Sequence, residues 1–140
     1  MSMPTPTLRS ATPADAPAVL ALWREAGAEP TRTDDVESLR LLFARDPASL
    51  ILAEANGKVI GSVIAAWDGW RGSLYRLAVA PSQRRLGIGR RLVRAAEERL
   101  SEAGGRRLQA IVIESDPQAA AFWRASGWEE QVERLRFVKG

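Results

Sequence analysis

The sequence predicts a single α/β domain built around one mixed β-sheet. Three observations favour this fold class. Apolar residues recur at helical spacing in several segments, strand-length apolar runs lie between them, and an Asn56-Gly57 pair joins two of those runs like a tight hairpin turn. With 140 residues and no dividing linker, the chain is expected to fold as one domain over residues 7–140, behind a loose tail of residues 1–6.

The first predicted elements are a short strand and two helices. Residues 7–10 have a strand pattern, and Thr12-Pro13 then supplies a helix cap with a proline in the first turn. A second helix is expected over residues 34–45, because apolar residues share one face and Pro47 stops the pattern. The apolar face of this second helix consists of Val36, Leu39, Leu42 and Phe43.

The middle of the chain changes from helical to strand-like spacing. Residues 50–55 and 59–67 are strand-like runs joined by Asn56-Gly57, and residues 74–79 form the next strand after a glycine-rich turn. The alternation indicates a hairpin followed by a third strand in the same sheet.

The last part of the chain returns to helices and strands in alternation. Residues 86–103 predict a long amphipathic helix. Residues 108–113 form an apolar, β-branched run that is typical of a buried strand. A further helix is expected from Asp116-Pro117 to Gly127, and residues 128–138 alternate enough for one or two more strands. The residues of the long helix expected to face inward are Ile88, Leu92, Val93, Ala96 and Leu100.

The absence of two residue types reduces the number of catalytic mechanisms and metal sites that the chain can support. The chain contains no cysteine and no histidine, which excludes disulfides, a thiolate nucleophile, sulfur zinc sites and every Ser-His-Asp arrangement. No metal site is predicted. If the protein is an enzyme, it cannot carry a transferred group on a cysteine of its own, and any transfer is expected to be direct, between two bound substrates. The longest apolar stretch, residues 59–67, is too short to span a bilayer and no secretory signal is evident, so a cytoplasmic protein without a membrane partner is expected.

A strand, a polar turn and two glycines at a helix start follow one another in residues 77–92. The unbonded N–H groups and positive dipole of a helix N-terminus attract anions, and Gly87 and Gly89 would let one approach closely. The segment predicts a diphosphate site, although the glycines alternatively serve only close strand-to-helix packing. A Rossmann motif would need glycine at Leu92, and the Gly-Lys-Ser/Thr of a P-loop is missing. Positive charge beside the site comes from Arg84, Arg85, Arg90 and Arg91.

Two motifs stand in order along the chain. The first is Arg84-x-x-Gly87-x-Gly89 behind Leu77-Ala78-Val79-x-Pro81, and the second is Asp116-x-x-Ala119-x-x-Phe122-Trp123-x-x-x-Gly127-Trp128. Through them the chain resembles the GNAT superfamily of acyl-CoA-dependent N-acyltransferases, over residues 7–139. The resemblance implies a GNAT-like single domain with a central mixed, largely antiparallel, twisted sheet of about six to seven strands flanked by about four helices.

The resemblance also implies an activity. The chain is expected to be an N-acetyltransferase that moves the acetyl group of acetyl-CoA, a co-substrate, directly to a primary amine in a ternary complex. In this family a bulge in the strand at residues 77–79 opens a slot for the pantetheine arm, and an N–H near Val79 would polarise the thioester carbonyl. The residues expected to hold coenzyme A are Leu77, Ala78, Val79, Arg84, Arg85, Leu86, Gly87, Ile88, Gly89, Arg90, Asp116 and Trp123.

Two positions depart from the family pattern. Trp123 stands where the family often has the tyrosine that protonates the leaving thiolate, and an indole N–H cannot give up its proton at neutral pH. Asp116 replaces an asparagine, and it serves either as a contact to coenzyme A or only as the cap of the following helix. The general base is also open, with Glu114 at the end of a predicted strand and Tyr75, the only tyrosine, as candidate catalytic residues.

Other functions remain as alternatives. The tryptophan at position 123 motivates a non-catalytic acyl-CoA sensor or pseudoenzyme. A nucleic-acid partner is disfavoured, because the arginine clusters lack interleaved aromatic residues. The acceptor is expected to be a small-molecule or peptide amine, and C-terminal edge strands leave a homodimer open. Acidic residues near the loop between the first two helices are either solvated or attract a cationic amine, and these are Glu25, Glu29, Asp34 and Asp35.

Overall fold

The structure, a computed structural model, describes residues 5–112 and 117–140 of the chain. The chain divides into two compact units, Met1–Ala110 and Ile111–Gly140. Every strand described below belongs to the first unit, together with three of the four α-helices.

The first unit is built on one five-stranded sheet. Its strands lie side by side in chain order. The first three pairings are antiparallel, and the last is parallel. The prediction of a mixed, largely antiparallel sheet is confirmed. The strands are β1 (Thr7–Ser10), β2 (Leu50–Ala55), β3 (Lys58–Trp67), β4 (Gly72–Val79) and β5 (Leu108–Ala110).

The described residues contain five strands, fewer than the six to seven expected, and the strands predicted within residues 128–138 are absent from that described segment. Apolar side chains stabilise a strand when a packed face covers them. Four apolar side chains of this segment are at least 72% exposed. The strands that its alternating pattern predicted were therefore wrong. The exposed residues are Val132, Leu135, Phe137 and Val138.

Strand β5 is shorter and less buried than predicted. The apolar run over residues 108–113 predicted a buried strand, yet β5 ends at Ala110, and both Gln109 and Ile111 are exposed. Ile113 lies outside the described residues. In the described sheet β5 pairs only with β4, and an edge strand of this kind needs less apolar cover than a central one.

Four α-helices are described, as predicted. Short 3₁₀ turns at Pro13–Asp15 and Pro81–Gln83 precede the first and third. Asp35 caps the second helix by accepting a hydrogen bond from the Ser38 N–H at 2.7 Å, and this bond lowers the pKa of the Asp35 carboxyl. None of the described helices is both long and apolar enough to cross a membrane. The helices are α1 (Ala16–Glu25), α2 (Val36–Arg45), α3 (Ile88–Glu102) and, in the second unit, α4 (Pro117–Ala125).

Helix α3 packs closely on the sheet. The residues predicted to face inward are all buried, and two strand glycines let the helix approach. A Cβ on Gly61 would lie 3.0 Å from Leu92 Cδ1, and one on Gly72 would lie 2.7 Å from Leu100 Cδ1. This packing fixes where α3 begins relative to the end of β4.

A hydrogen-bonded ion-pair network holds the short edge strand β1. Arg9 donates from Nη1 to Asp15 Oδ2 at 2.8 Å and from Nε to Glu54 Oε2 at 2.9 Å. The hydrogen bonds from Arg9 hold the pKa of the Asp15 carboxyl well below its usual range. The network therefore joins β1 to β2 and to the turn that leads into α1.

Candidate functional site

The N-terminus of α3 presents backbone N–H groups that no side chain caps. Its first backbone hydrogen bond runs from the Arg91 N–H to the Gly87 carbonyl at 3.1 Å, so the N–H groups of Ile88, Gly89 and Arg90 have no acceptor within the helix. The N-cap position is Gly87, which has no side chain to satisfy them. These three amides, with the positive end of the helix dipole, can bind an anion.

The loop before α3 has the backbone shape of an anion cradle. Arg85 and Gly87 both lie in the left-handed region, with φ of +67° and +80°, and Leu86 between them is 59% exposed. Left-handed residues in such a loop can turn backbone N–H groups toward one concave side, where an anion binds. Nothing lies within 4 Å of where a Cβ on Gly87 would sit, so its glycine serves the backbone conformation rather than close packing.

The arginines around this loop divide into two pairs. Arg84 donates from Nη2 to the Ala26 carbonyl at 3.1 Å and from Nε to the Val79 carbonyl at 3.3 Å. Arg91 donates from Nη1 to the Pro6 carbonyl at 2.8 Å. Arg85 and Arg90 are exposed at the surface. The first pair therefore holds the backbone around the site, whereas the second pair offers positive charge to a ligand.

Strand β4 contains a bulge. Ser62 pairs with Ala78 and Ile64 with Tyr75, so the one residue between them on β3 faces two residues of β4, Arg76 and Leu77. Arg76 has a left-handed backbone with φ of +52°. The bulge that the family resemblance implied for this strand is confirmed.

Beyond the bulge, one edge of β4 carries an N–H that points away from β3. The Ala80 N–H donates to the Ile60 carbonyl of β3 at 2.8 Å. Successive N–H groups of an extended chain point to opposite sides, so the Val79 N–H points to the other edge. The described pairing of that edge with β5 ends at Leu74 and Ala110. Leu77 and Val79 are half-buried and Ala78 is buried.

A hydrogen-bonded network that begins in the core, and that the sequence did not predict, supports the bulge. The Trp23 indole N–H donates to Ser62 Oγ at 2.9 Å, and the Ser62 hydroxyl donates to the Arg76 carbonyl at 2.9 Å. The Arg76 guanidinium binds the Asp34 carboxylate, donates to the Glu29 carbonyl at 2.9 Å and lies 5.5 Å from the Trp23 ring centre. In the sequence, the only signs of this network are a serine within an apolar strand and an arginine within the next strand. Neither residue indicates which distant residue it will bind.

The same network changes the interpretation of the acidic residues near the α1–α2 loop. Asp34 is already paired with Arg76, and Asp35 caps α2. Two of the four carboxylates that were predicted to be solvated or to attract a cationic amine therefore have structural partners. Glu25 and Glu29 are exposed, as is the capping residue Asp35.

Of the two candidate bases, the structure describes one. Tyr75 is 45% exposed and pairs with Ile64, which shares its face of β3 with Ser62. Tyr75 therefore lies on the α1 side of the sheet, beside the bulge. Glu114, the other candidate, lies outside the described residues.

The second predicted motif lies in the second unit. Trp123 on α4 is half-buried and packs edge-to-face against Phe122 and Trp128, with ring centres 5.6 and 4.8 Å away. Helix α4 ends before Gly127, whose φ is +88°, as predicted. Asp116, the first residue of that motif, lies outside the described residues.

Comparison with known proteins places these features in context. The family model described as "Acetyltransferase (GNAT) family" matches residues 16–128. An acetyltransferase of Pectobacterium atrosepticum is 30% identical over 115 residues, which is 82% of each chain.

Solved structures give the same fold. The PaiA N-acetyltransferase of Thermoplasma acidophilum in complex with coenzyme A matches with a TM-score of 0.78 at 16% identity, over 91% of this chain and 92% of that one. AAC(6')-Iy in complex with the bisubstrate analogue CoA-S-monomethyl-acetylneamine matches with a TM-score of 0.75 at 21% identity, over 98% and 99% of the two chains.

Proposed function

Because this chain belongs to the GNAT family of acetyltransferases, we propose that it transfers the acetyl group of acetyl-CoA directly to a primary amine in a ternary complex. The observation that carries the proposal is the row of uncapped amides at the start of α3, behind the left-handed Gly87. An acetyltransferase of this family needs a site for the coenzyme A diphosphate, and these amides offer one.

The proposed coenzyme A contacts run from the end of β4 into α3. The diphosphate binds the backbone of Arg84 to Arg90, with positive charge from the exposed Arg85 and Arg90 side chains. The pantetheine arm lies along the edge of Leu77, Ala78 and Val79 as an added strand would, and the outward Val79 N–H stabilises the developing oxyanion. The family resemblance implies that Asp116 and Trp123 of the second motif also contact coenzyme A.

The proposed reaction needs no enzyme-bound acyl group. The neutral amine nitrogen attacks the thioester carbonyl carbon, a C–N bond forms, the C–S bond breaks, and the amine proton passes to a base. The chain has no cysteine that could carry the acetyl group between substrates. The Trp123 indole does not ionise at neutral pH, so the coenzyme A thiolate takes its proton from water or another group, or leaves without an acid.

Acetyl-CoA binding and amine acetylation test this proposal together. Acetyl-CoA at about 100 times its dissociation constant should add about 2.7 kcal/mol of stability, which raises the Tm by about 5–10 °C. Release of free thiol should then follow the addition of spermidine, kanamycin A or a tetrapeptide with a free N-terminus. These amines represent polyamine, antibiotic and peptide acceptors. No shift in Tm and no thiol release would reject the proposal.

An acyl-CoA sensor without activity is the second candidate function. Trp123, in place of the tyrosine that the family often uses as an acid, favours it. A saturable rise in Tm with acetyl-CoA, without thiol release for any of the three amines, would support this candidate over the enzyme.

The base is proposed to be Glu114 or Tyr75, and two conservative variants distinguish them. Removing the true base by Glu114→Gln or Tyr75→Phe should lower kcat/KM by about 10²–10⁴-fold. It should also remove the base's contribution to the fall in rate on the acidic side of the pH profile, so that only protonation of the amine remains there. The other variant should keep the profile of the parent chain. A residue whose replacement leaves the rate unchanged at every pH is not the base.

A further inference from the structure

Arg76 occupies a backbone conformation that is unfavourable for its side chain. Its φ of +52° lies within strand β4, and the other described non-glycine residues with positive φ, Asn56 and Arg85, lie in a turn and a loop. A left-handed backbone brings the Cβ of any residue other than glycine too close to the following carbonyl oxygen, so glycine would be the easier choice at this bulge. Such strain persists where the surroundings over-determine it.

Contacts to both the backbone and the side chain of Arg76 hold it in this conformation. Its carbonyl accepts the hydrogen bond of Ser62, which is fully buried and is itself held by the Trp23 indole. Its guanidinium makes the ion pair with Asp34 and the hydrogen bond to the Glu29 carbonyl, with side-chain exposures of 20% for Arg76 and 14% for Asp34. The backbone contact supports the bulge, and the side-chain contacts reach outside the sheet.

The side chain of Arg76 fastens the segment between α1 and α2 to strand β4. This segment, residues 26–35, is called the α1–α2 connection below. Arg76 holds it at Glu29 and Asp34, and Arg84 holds its start through the Ala26 carbonyl. Arg84 also donates to the Val79 carbonyl, at the end of the strand proposed to bind pantetheine. The connection is thus attached to β4 at the bulge and at the strand end.

From this arrangement we infer that Arg76 is a positioning residue for the acetyl transfer, which rests on the function proposed above. It does not touch the reacting atoms. It keeps the bulge, and with it the edge of β4, in register with the α1–α2 connection, so that the amine meets the thioester in the correct geometry. Small misplacements between two bound reactants cost large factors in rate.

Arg76→Gly separates the backbone role from the side-chain role. Glycine adopts the left-handed conformation without strain, so the bulge should remain while the guanidinium is lost. Asp34→Asn removes the charge of the partner without changing its shape. Arg76→Lys keeps the positive charge but not the fork that binds a carboxylate and a carbonyl together, so it should behave like Arg76→Gly.

A second ion pair of the same form supplies the matched control. Arg99 binds the Asp46 carboxylate and donates from Nε to the Ala48 carbonyl at 2.9 Å, with side-chain exposures of 20% and 29%. This pair joins α3 to the segment between α2 and β2 and has no part in the proposed site. Arg99→Lys and Asp46→Asn therefore report the effect of losing an equivalent pair on stability alone.

The experiment compares acetyl-CoA affinity, amine kinetics and hydrogen exchange in the full chain. Calorimetry should give an acetyl-CoA Kd for Arg76→Gly and Asp34→Asn within about threefold of the parent, because the diphosphate amides are untouched. The kcat/KM of the best amine among spermidine, kanamycin A and the tetrapeptide should fall about tenfold or more. Acetyl-CoA should slow amide exchange in residues 26–35 of the parent chain and of both control variants, but not of the Arg76 and Asp34 variants.

Each outcome decides the inference. Equal changes in the Arg76–Asp34 and Arg99–Asp46 variants, or unchanged amine kcat/KM and exchange in Arg76→Gly, would overturn it while leaving the proposed function intact. If the parent chain does not bind acetyl-CoA, the proposed function fails first, and the inference with it. If it binds acetyl-CoA but acetylates none of the three amines, the exchange comparison still decides.

Discussion

Replacing Gly89 with glutamate is expected to weaken acetyl-CoA binding by about 100-fold without destabilising the free protein. Gly89 is the second residue of α3 and lies in helical backbone, so a side chain fits its conformation. A carboxylate in the first turn interacts favourably with the helix dipole, and glutamate has a better helix propensity than glycine. The free variant should therefore be at least as stable as the parent chain.

The loss of affinity follows from charge repulsion at the same place. A carboxylate about 5 Å from a bound phosphate, at an effective dielectric constant of about 20, repels the negative charge of that phosphate by about 3 kcal/mol, or about 100-fold in Kd. Calorimetry with acetyl-CoA measures the affinity, and thermal unfolding of the free protein measures the stability. Opposite signs for the two effects are hard to explain by general damage to the fold.

Gly89→Gln is the matched control, because it has the same shape without the charge. We expect it to weaken binding less than Gly89→Glu does, and the difference between the two isolates the electrostatic part. Equal losses for both variants would mean that steric blocking alone acts at this position. If neither variant weakened binding, the diphosphate would have to bind elsewhere, and the proposed site at the start of α3 would be wrong.

Replacing Ser62 with alanine is expected to lower the free energy of unfolding by about 2–4 kcal/mol, which lowers the Tm by about 10 °C. The reason is that the Ser62 hydroxyl serves a buried indole N–H and a partly buried carbonyl. Without it, the Trp23 indole N–H and the Arg76 carbonyl both lose their partner. Each buried polar group left without a hydrogen bond costs about 1–3 kcal/mol.

Ser49→Ala provides the control in the same chain. Ser49 and Ser62 are both fully buried, but Ser49 Oγ has no hydrogen-bond partner in the described structure. Removing an unpaired buried hydroxyl should leave stability unchanged or raise it by up to about 1 kcal/mol. Denaturant unfolding of the two variants measures the contrast. Similar small effects from both substitutions would contradict the stabilising role of the Ser62 hydrogen bonds. Other contacts would then have to support the bulge.

Local signals along the chain predicted much of the fold. Asn56-Gly57 forms the tight hairpin turn with φ of +53° and +73°, as its composition indicated. The inward face of α3 was read correctly, because helical spacing places those residues on one side regardless of what covers them. Both glycines of the first motif stand at the start of α3, where an anion can reach backbone amides.

Predictions from local sequence were wrong where a strand needs another element to pack against its apolar residues. The alternation in residues 128–138 satisfied the rule for strands, yet that described segment contains none. The run that begins at Leu108 ended in an edge strand of three residues. In both segments the sequence pattern indicates which residues favour burial. Whether a neighbouring strand or helix covers them depends on the surrounding structure.

The sequence by itself determined the order of helices and strands, the glycine-rich start of α3 and the family motifs, because these depend on residues within a few positions of one another. Tertiary structure alone decided the support of the bulge in β4. Trp23 and Ser62 are 39 residues apart, and Arg76 and Asp34 are 42 apart. Hydrogen bonds and ion pairs act only over a few ångströms, and such distant residues come that close only when the sheet and its helices have packed.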